Sequence, residues 1–159
     1  MIRIRRAETK DCALVYGLIR DLAVYEKLLD QVDATEAMIG DALFGENPRA
    51  FCEIVSWNGE DAGFALWFYN FSTFRGKHGL FLEDIFVNPD YRGWGLGKAL
   101  LKHLAQRCVD EGLARFEWSV LNWNAPSIEF YKAMGAEMMD GWTGCRVSGE
   151  ALVGLAERE

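Results

Sequence analysis

The chain has 159 residues, half of them hydrophobic and 26% charged, which suits one soluble globular domain with a real core. A net charge of −7 argues against a nucleic-acid partner, which wants a basic patch, and no run of about 18 apolar residues offers a membrane span. Cys12, Cys52, Cys108 and Cys145 stand apart from one another and from His78 and His103, so neither a metal centre nor a disulfide framework is expected; reduced thiols fit a cytoplasmic setting.

Residues 2–6 alternate like a first strand, with no apolar run behind them that would make a signal peptide. Thr9 and Asp11 are helix starters, and Leu14, Leu18, Ile19, Leu22 and Tyr25 then share one helical face. That rhythm is lost over 25–33. Thr35 is placed to cap a short helix over 36–43, stopped near Gly45 and Pro48. Strands are predicted over 50–57 and 62–69, joined by Asn58-Gly59, a strong hairpin signal. Residues 70–79 read as a polar, glycine-bearing loop.

Residues 80–87, Leu-Phe-Leu-Glu-Asp-Ile-Phe-Val, read as a buried strand closed by Asn88-Pro89. Leu96, Leu100, Leu101, Leu104 and Cys108 then recur at helical spacing, in a helix that ends near Gly112. A strand over 116–121 and a loop over 122–124 follow. The next helix has Pro126 at its start, carries Ile128, Phe130, Tyr131 and Met134, and stops at Gly135. Further strands are predicted around 137–139 and 143–147. The order describes a single α/β domain over 1–159, a mixed sheet with helices on both faces.

The segment Tyr91-Arg92-Gly93-Trp94-Gly95-Leu96-Gly97-Lys98 lies where the strand over 80–87 hands over to the long helix. A helix start carries unpaired amides and partial positive charge, and glycines let a ligand approach the backbone closely. Two known phosphate loops are excluded. A Walker A loop needs glycine where Arg92 stands and Ser or Thr where Ala99 stands. In the dinucleotide fingerprint the third glycine comes three residues after the second, not two. What remains is either a different phosphate cradle or an ordinary glycine-rich turn.

With the preceding strand, this loop resembles the GNAT superfamily of acyl-CoA-dependent N-acetyltransferases, whose motif Arg/Gln-x-x-Gly-x-Gly/Ala is matched by Arg92, Gly95 and Gly97. Tyr25-Glu26-Lys27, the strand, the loop and Asn122-Trp123-Asn124-Ala125-Pro126-Ser127-Ile128-Glu129-Phe130-Tyr131-Lys132 are similar to its diamine (spermidine/spermine) and thialysine acetyltransferase branch. The resemblance implies acetyl-CoA as the acyl donor, a small-molecule primary amine as acceptor, and a homodimer. It implies that backbone groups of Phe86 and Val87 hold the acetyl and pantetheine part. The loop, with Arg92 and the amides of Gly93, Trp94, Gly95, Leu96, Gly97 and Lys98, would cup the pyrophosphate. Asn124 and Ser127 would contact the far arm of the cofactor, Tyr131 would stand near the sulfur, and Tyr25, Glu26, Glu83 and Asp84 would line the amine side.

The chemistry sets the roles. An alkyl ammonium, with a pKa near ~10.4, must lose its proton before it attacks a thioester. Glu83 is the expected base, through a water; Asp84 is the alternative base or a cation binder, since strand alternation puts the two on opposite faces. Amides near Val87 would polarise the carbonyl, and the phenol of Tyr131 would return a proton to the departing thiolate. No Ser or Cys sits in a nucleophile motif, so direct transfer is expected. Glu117 and Asp140 are further acids near the amine side. One departure from the polyamine enzymes stands out: Phe71-Ser72-Thr73-Phe74-Arg75-Gly76 replaces an Asp-Pro-Trp loop. The cations Arg75 and Lys77 would favour an amino-acid-like acceptor with its own carboxylate. The rival readings are a protein or peptide N-acetyltransferase and a non-catalytic CoA-binding module.

Overall fold

A computed structural model describes all residues, 1–159. Its elements are β1 (Ile2–Arg6), α1 (Cys12–Tyr25), α2 (Glu36–Phe44), β2 (Phe51–Trp57), β3 (Glu60–Ser72), β4 (Lys77–Val87), α3 (Leu96–Asp110), β5 (Phe116–Trp118), α4 (Ala125–Ala133) and α5 (Gly149–Ala156). Residues 1–121 and residues 122–159 form two compact units. The first holds a sheet in the order β1-β2-β3-β4-β5. Its first four strands pair antiparallel, and β5 runs parallel to β4. A parallel return needs a crossover, and α3 supplies it.

Each face of this sheet has its own core. On one, Cys52, Ile54, Phe64 and Phe86 cluster with Val15, Leu18 and Leu22 of α1 and Leu43 of α2. The sequence put Leu14 on that helical face; Val15 is the fully buried residue, and Leu14 packs at the margin. On the other, Leu96, Leu100, Leu101, Leu104 and Cys108 of α3 are all buried, as are Trp67, Leu80 and Leu82 of the sheet. Each such aliphatic or aromatic side chain is worth about 1.5–3 kcal/mol when buried, so the apolar stripe suffices to dock α3.

Local signals act as expected where they are self-contained. Thr35 accepts from the Met38 amide at 3.2 Å and starts α2. Asn58 (φ 50°) and Gly59 (φ 92°) make the tight turn between β2 and β3. A charged element also sits among the apolar ones. Glu53 on β2 is 2% exposed and pairs with Arg6 at 3.1 Å. Trp67 Nε1 donates to it at 3.4 Å, with Arg107 at 3.8 Å and His103 at 3.9 Å. Both arginines lie over the Trp67 ring, at 5.4 and 5.0 Å. Sequence reading had no signal for this cluster, because its members come from four separate elements.

Three expectations are corrected. Residues 70–79 are not a loop. β3 and β4 continue through the pairs Asn70↔Gly79, Phe71↔His78 and Ser72↔Lys77, and the turn closes at Gly76 with φ 62°. The ladder uses backbone groups, so polar side chains do not prevent it, and Phe71 and His78 add an edge-to-face ring contact at 5.0 Å. Second, β5 has three residues, not six. Third, no strand forms at 137–139 or 143–147; those residues are irregular and the chain ends in α5, which was not foreseen. Alternation makes a strand only where an edge is there to pair with it.

Candidate active site

The strand that carries the paired acids is interrupted where they sit. Leu66 of β3 faces Asp84, but the next residue, Trp67, faces Leu82. Glu83 is therefore an extra residue on β4, a β-bulge, and simple alternation does not apply to it. Glu83 is exposed and Asp84 is partly buried. Leu66 packs against the α1 core, so Asp84 lies on the α1 side of the sheet. Burial, and then the charges of Glu83 and Glu26, push the Asp84 carboxyl up to about 6 from an ordinary 3.8. Glu26 caps the C-terminal end of α1, and burial raises its carboxyl too. The structure thus brings Glu26 and Glu83 within electrostatic reach of Asp84.

Arg92 ties this acidic corner to the glycine loop. Its Nε donates to the Val87 carbonyl at 2.9 Å, and its guanidinium lies over the rings of Tyr25 at 4.9 Å and Phe86 at 5.4 Å. Its amide donates to Pro89 O at 3.2 Å. The side chain of Arg92 therefore joins the end of α1 to the end of β4, and its backbone N–H is already used.

Beyond Arg92 the backbone opens. Gly93 (φ 84°) and Gly95 (φ 86°) are in the left-handed region, and Gly95 is the N-cap of α3. The amides of Leu96, Gly97 and Lys98 form the first helical turn and have no carbonyl one turn back. Gly97 gives the sharper test of fit. Its φ lies outside the left-handed region, and an added Cβ there would meet nothing within 4 Å. Nothing in the fold requires glycine at this place, where it costs roughly 0.5–1 kcal/mol relative to alanine. Bare backbone at the positive end of a 15-residue helix is a place where an anion could approach closely.

Asn124, Ser127 and Tyr131 belong to the second unit. Asn124, 5% exposed, starts α4 by accepting from the Ser127 amide at 3.4 Å, with Pro126 in the first turn. Tyr131 is the buried residue of α4, its ring 5.6 Å from that of Phe130. Of the further acids, Glu117 accepts from Asn70 Nδ2 at 3.2 Å, and Asp140 lies in the irregular stretch before α5. The selectivity argument from Arg75 and Lys77 needs correction. Lys77 precedes Glu83 by six positions on one strand, about 20 Å at ~3.3 Å per residue. Lys77 lies at the far end of β4 and Arg75 in the turn before it, away from Glu83 and Asp84 of their own chain.

A mixed sheet whose central strand carries a raised carboxyl and runs into a glycine-rich helix start is compatible with a transferase. Comparison with known proteins agrees. The model of the Acetyltransferase (GNAT) family matches residues 15–136. Thialysine N-epsilon-acetyltransferase of Bos taurus is 39% identical over 166 residues, covering 98% of this chain and 97% of the relative. L-ornithine N5-acetyltransferase of Arabidopsis thaliana is 32% identical over 195 residues, covering 94% and 86%. Among solved structures, an integron cassette protein of V. cholerae superposes with a TM-score of 0.82 at 25% identity, covering 99% of this chain and 98% of that one. An aminoglycoside acetyltransferase from an uncultured soil metagenomic sample superposes with a TM-score of 0.77 at 14% identity, covering 94% and 97%. The chain belongs to the GNAT family and is an N-acetyltransferase.

Proposed function

We propose that the chain moves acetyl from acetyl-CoA to the primary amine of a small molecule, a thialysine- or lysine-like amine or a diamine, by direct attack. The observation that carries this reading is the cluster of Glu26, Glu83 and Asp84 at the end of α1 and the bulge of β4. It supplies both negative charge for an ammonium and a carboxylate able to hold a proton near neutral pH. The relatives named for thialysine and ornithine support an amino-acid-like amine.

Acetyl-CoA supplies the thioester that makes the acetyl group transferable. The residues of this chain do the rest. Amides of Gly93, Trp94, Gly95, Leu96, Gly97 and Lys98 hold the diphosphate, and backbone groups of Phe86 and Val87 hold the pantetheine and polarise the carbonyl. Asn124 and Ser127 contact the far arm. Tyr25, Glu26 and Glu83 receive the ammonium. Glu83 and Asp84 act as a pair in removing its proton, through a water. The sequence alone gives the base role to Glu83; the raised carboxyl is that of Asp84, and it is the better acceptor. Taking a proton from an ammonium near ~10.4 onto a carboxyl at about 6 rather than at 3.8 makes the transfer about 3 kcal/mol less uphill. The phenol of Tyr131 returns a proton to the thiolate.

The family match runs across both units, which supports their working as one acetyltransferase domain. We also propose a homodimer. α5 exposes Leu152, Val153 and Leu155 by 54, 57 and 52%, an apolar face that a second copy could cover; light scattering on the purified chain reads the mass. No helix is long and apolar enough to cross a membrane, which is compatible with the cytoplasmic setting expected from its thiols. The reaction itself is tested with a panel of lysine, thialysine, ornithine, putrescine and spermidine, assayed by release of the CoA thiol. Thiol release with a peptide and with none of these amines overturns the reading.

A further inference from the structure

The glycine loop is held from outside the site by a group of side chains that the reaction does not use. Trp57 ends β2, and Glu60 opens β3 across the Asn58-Gly59 turn. Trp94, between the two left-handed glycines of the loop, places its ring 4.9 Å from that of Trp57, tilted by 39°. Tyr91 stands edge-on to Trp94 at 6.3 Å, and its hydroxyl donates to Glu60 Oε2 at 2.5 Å. The hairpin is fixed in turn. Asn58 N donates to Met1 O at 2.9 Å, and Trp57 pairs with Ile2 of β1. At the start of the loop, Asn88 N donates to Ala62 O at 2.8 Å.

The loop needs such support. Glycines at 93 and 95 free the backbone to adopt left-handed angles but also let it leave them, and they bring no side chains to pack. Trp94 is the large side chain between them. Half of it is exposed, and its other contacts are aromatic rings on the hairpin and on the loop itself. The link of Trp57 and Glu60 to the loop has no signal in the sequence, since they precede it by more than thirty positions.

We propose that Trp57 and Glu60 are positioning residues for the diphosphate loop: they hold Trp94 and Tyr91 so that the first-turn amides of α3 stay arranged for the acyl donor. The proposal rests on the reading of that loop as the acetyl-CoA site. It predicts that loss of the bracket weakens donor binding and leaves the transfer step alone, because neither residue touches the acids of β4.

The test compares Trp57→Ala, Trp57→Phe, Glu60→Gln and Tyr91→Phe with the parent in two measurements, calorimetric titration with coenzyme A and steady-state kinetics with acetyl-CoA varied. An aromatic pair is worth enough to change an equilibrium by about 2- to 12-fold. Trp57→Ala should raise Kd for coenzyme A and KM for acetyl-CoA in that range, with kcat within about twofold of the parent; Trp57→Phe should restore most of the loss. Glu60→Gln and Tyr91→Phe alter exposed groups that the fold does not need, so they test the bracket even if Trp57→Ala fails to fold, and each should weaken binding in the same direction. Unchanged Kd and KM in Glu60→Gln and Tyr91→Phe, or a fall in kcat at constant KM, overturns the proposal. If the parent itself does not bind coenzyme A, the reading of the loop fails instead, and the two failures are distinct.

Discussion

Asp84→Asn should make the protein more stable at neutral pH while removing its activity. The folded chain holds the Asp84 carboxyl at about 6 against an ordinary 3.8, because the ionised form is partly buried and faces Glu83 and Glu26. At about 1.36 kcal/mol per pH unit, that gap corresponds to about 3 kcal/mol of native-state cost once the group is ionised in both states. Solvent near the exposed Glu83 screens part of it, so about 1–3 kcal/mol is expected. The direction follows from proton binding. A raised acid binds its proton more tightly when folded, so the fold is favoured below 3.8 and that advantage is lost as pH climbs through about 6. Asparagine never ionises. Urea unfolding should therefore show the variant ahead at pH 7.5 and nearly level with the parent at pH 4. An Asp84→Asn protein no more stable than the parent at pH 7.5, or one equally ahead at both values, refutes the argument from buried charge. Loss of thiol release in the same variant would mark the strain as functional, since a residue kept at a cost to stability is kept for something else.

The other predictions draw on separate parts of the structure. The same carboxyl should govern rate: kcat/KM for the amine should fall as pH drops through about 6, and a profile flat from pH 5 to 7 places the base elsewhere. Tyr131→Phe should lower kcat about 100-fold or more, the size of a lost general acid, with coenzyme A binding intact by calorimetry. Glu53→Ala removes the buried acceptor shared by Arg6, Trp67 and Arg107 and should cost about 1–3 kcal/mol in urea unfolding. Gly97→Ala should add roughly 0.5–1 kcal/mol of stability through helix propensity, yet weaken coenzyme A binding, because the methyl occupies the approach to the amides.

What could be read from the chain depended on whether a signal carried its own partner. The spacing of Leu96, Leu100, Leu101, Leu104 and Cys108 describes one face of one helix, and all five are buried. Asn58-Gly59 and Thr35 act over three or four residues, and both do as expected. The strand ends at 70–72 and 77–79 were hidden because their pairing is written in backbone groups, and side-chain polarity says little about it. The stretches at 137–139 and 143–147 failed the opposite way. They were expected as strands, but no edge pairs with them. Glu53 was invisible for a related reason: an acid in a strand reads as a solvent-facing position until Arg6, Trp67 and Arg107 arrive from elsewhere.

The acids of β4 show how such a gap reaches chemistry. Alternation, applied to Leu82-Glu83-Asp84-Ile85, sends neighbours to opposite faces and forces a choice between the two carboxylates. The register against β3 removes that choice, since one residue of β4 has no counterpart opposite it. A bulge is a property of two strands together, and nothing within the sequence of either announces it. With Glu83 displaced at the bulge, its charge acts on a partly buried Asp84, and Glu26 adds to it from the end of α1. One residue is then open to solvent, and the next is partly buried with its carboxyl pushed up to about 6. The contrast in exposure between these adjacent acids, on which the proposed division between ammonium binding and proton removal depends, thus rests on a single extra residue in a strand.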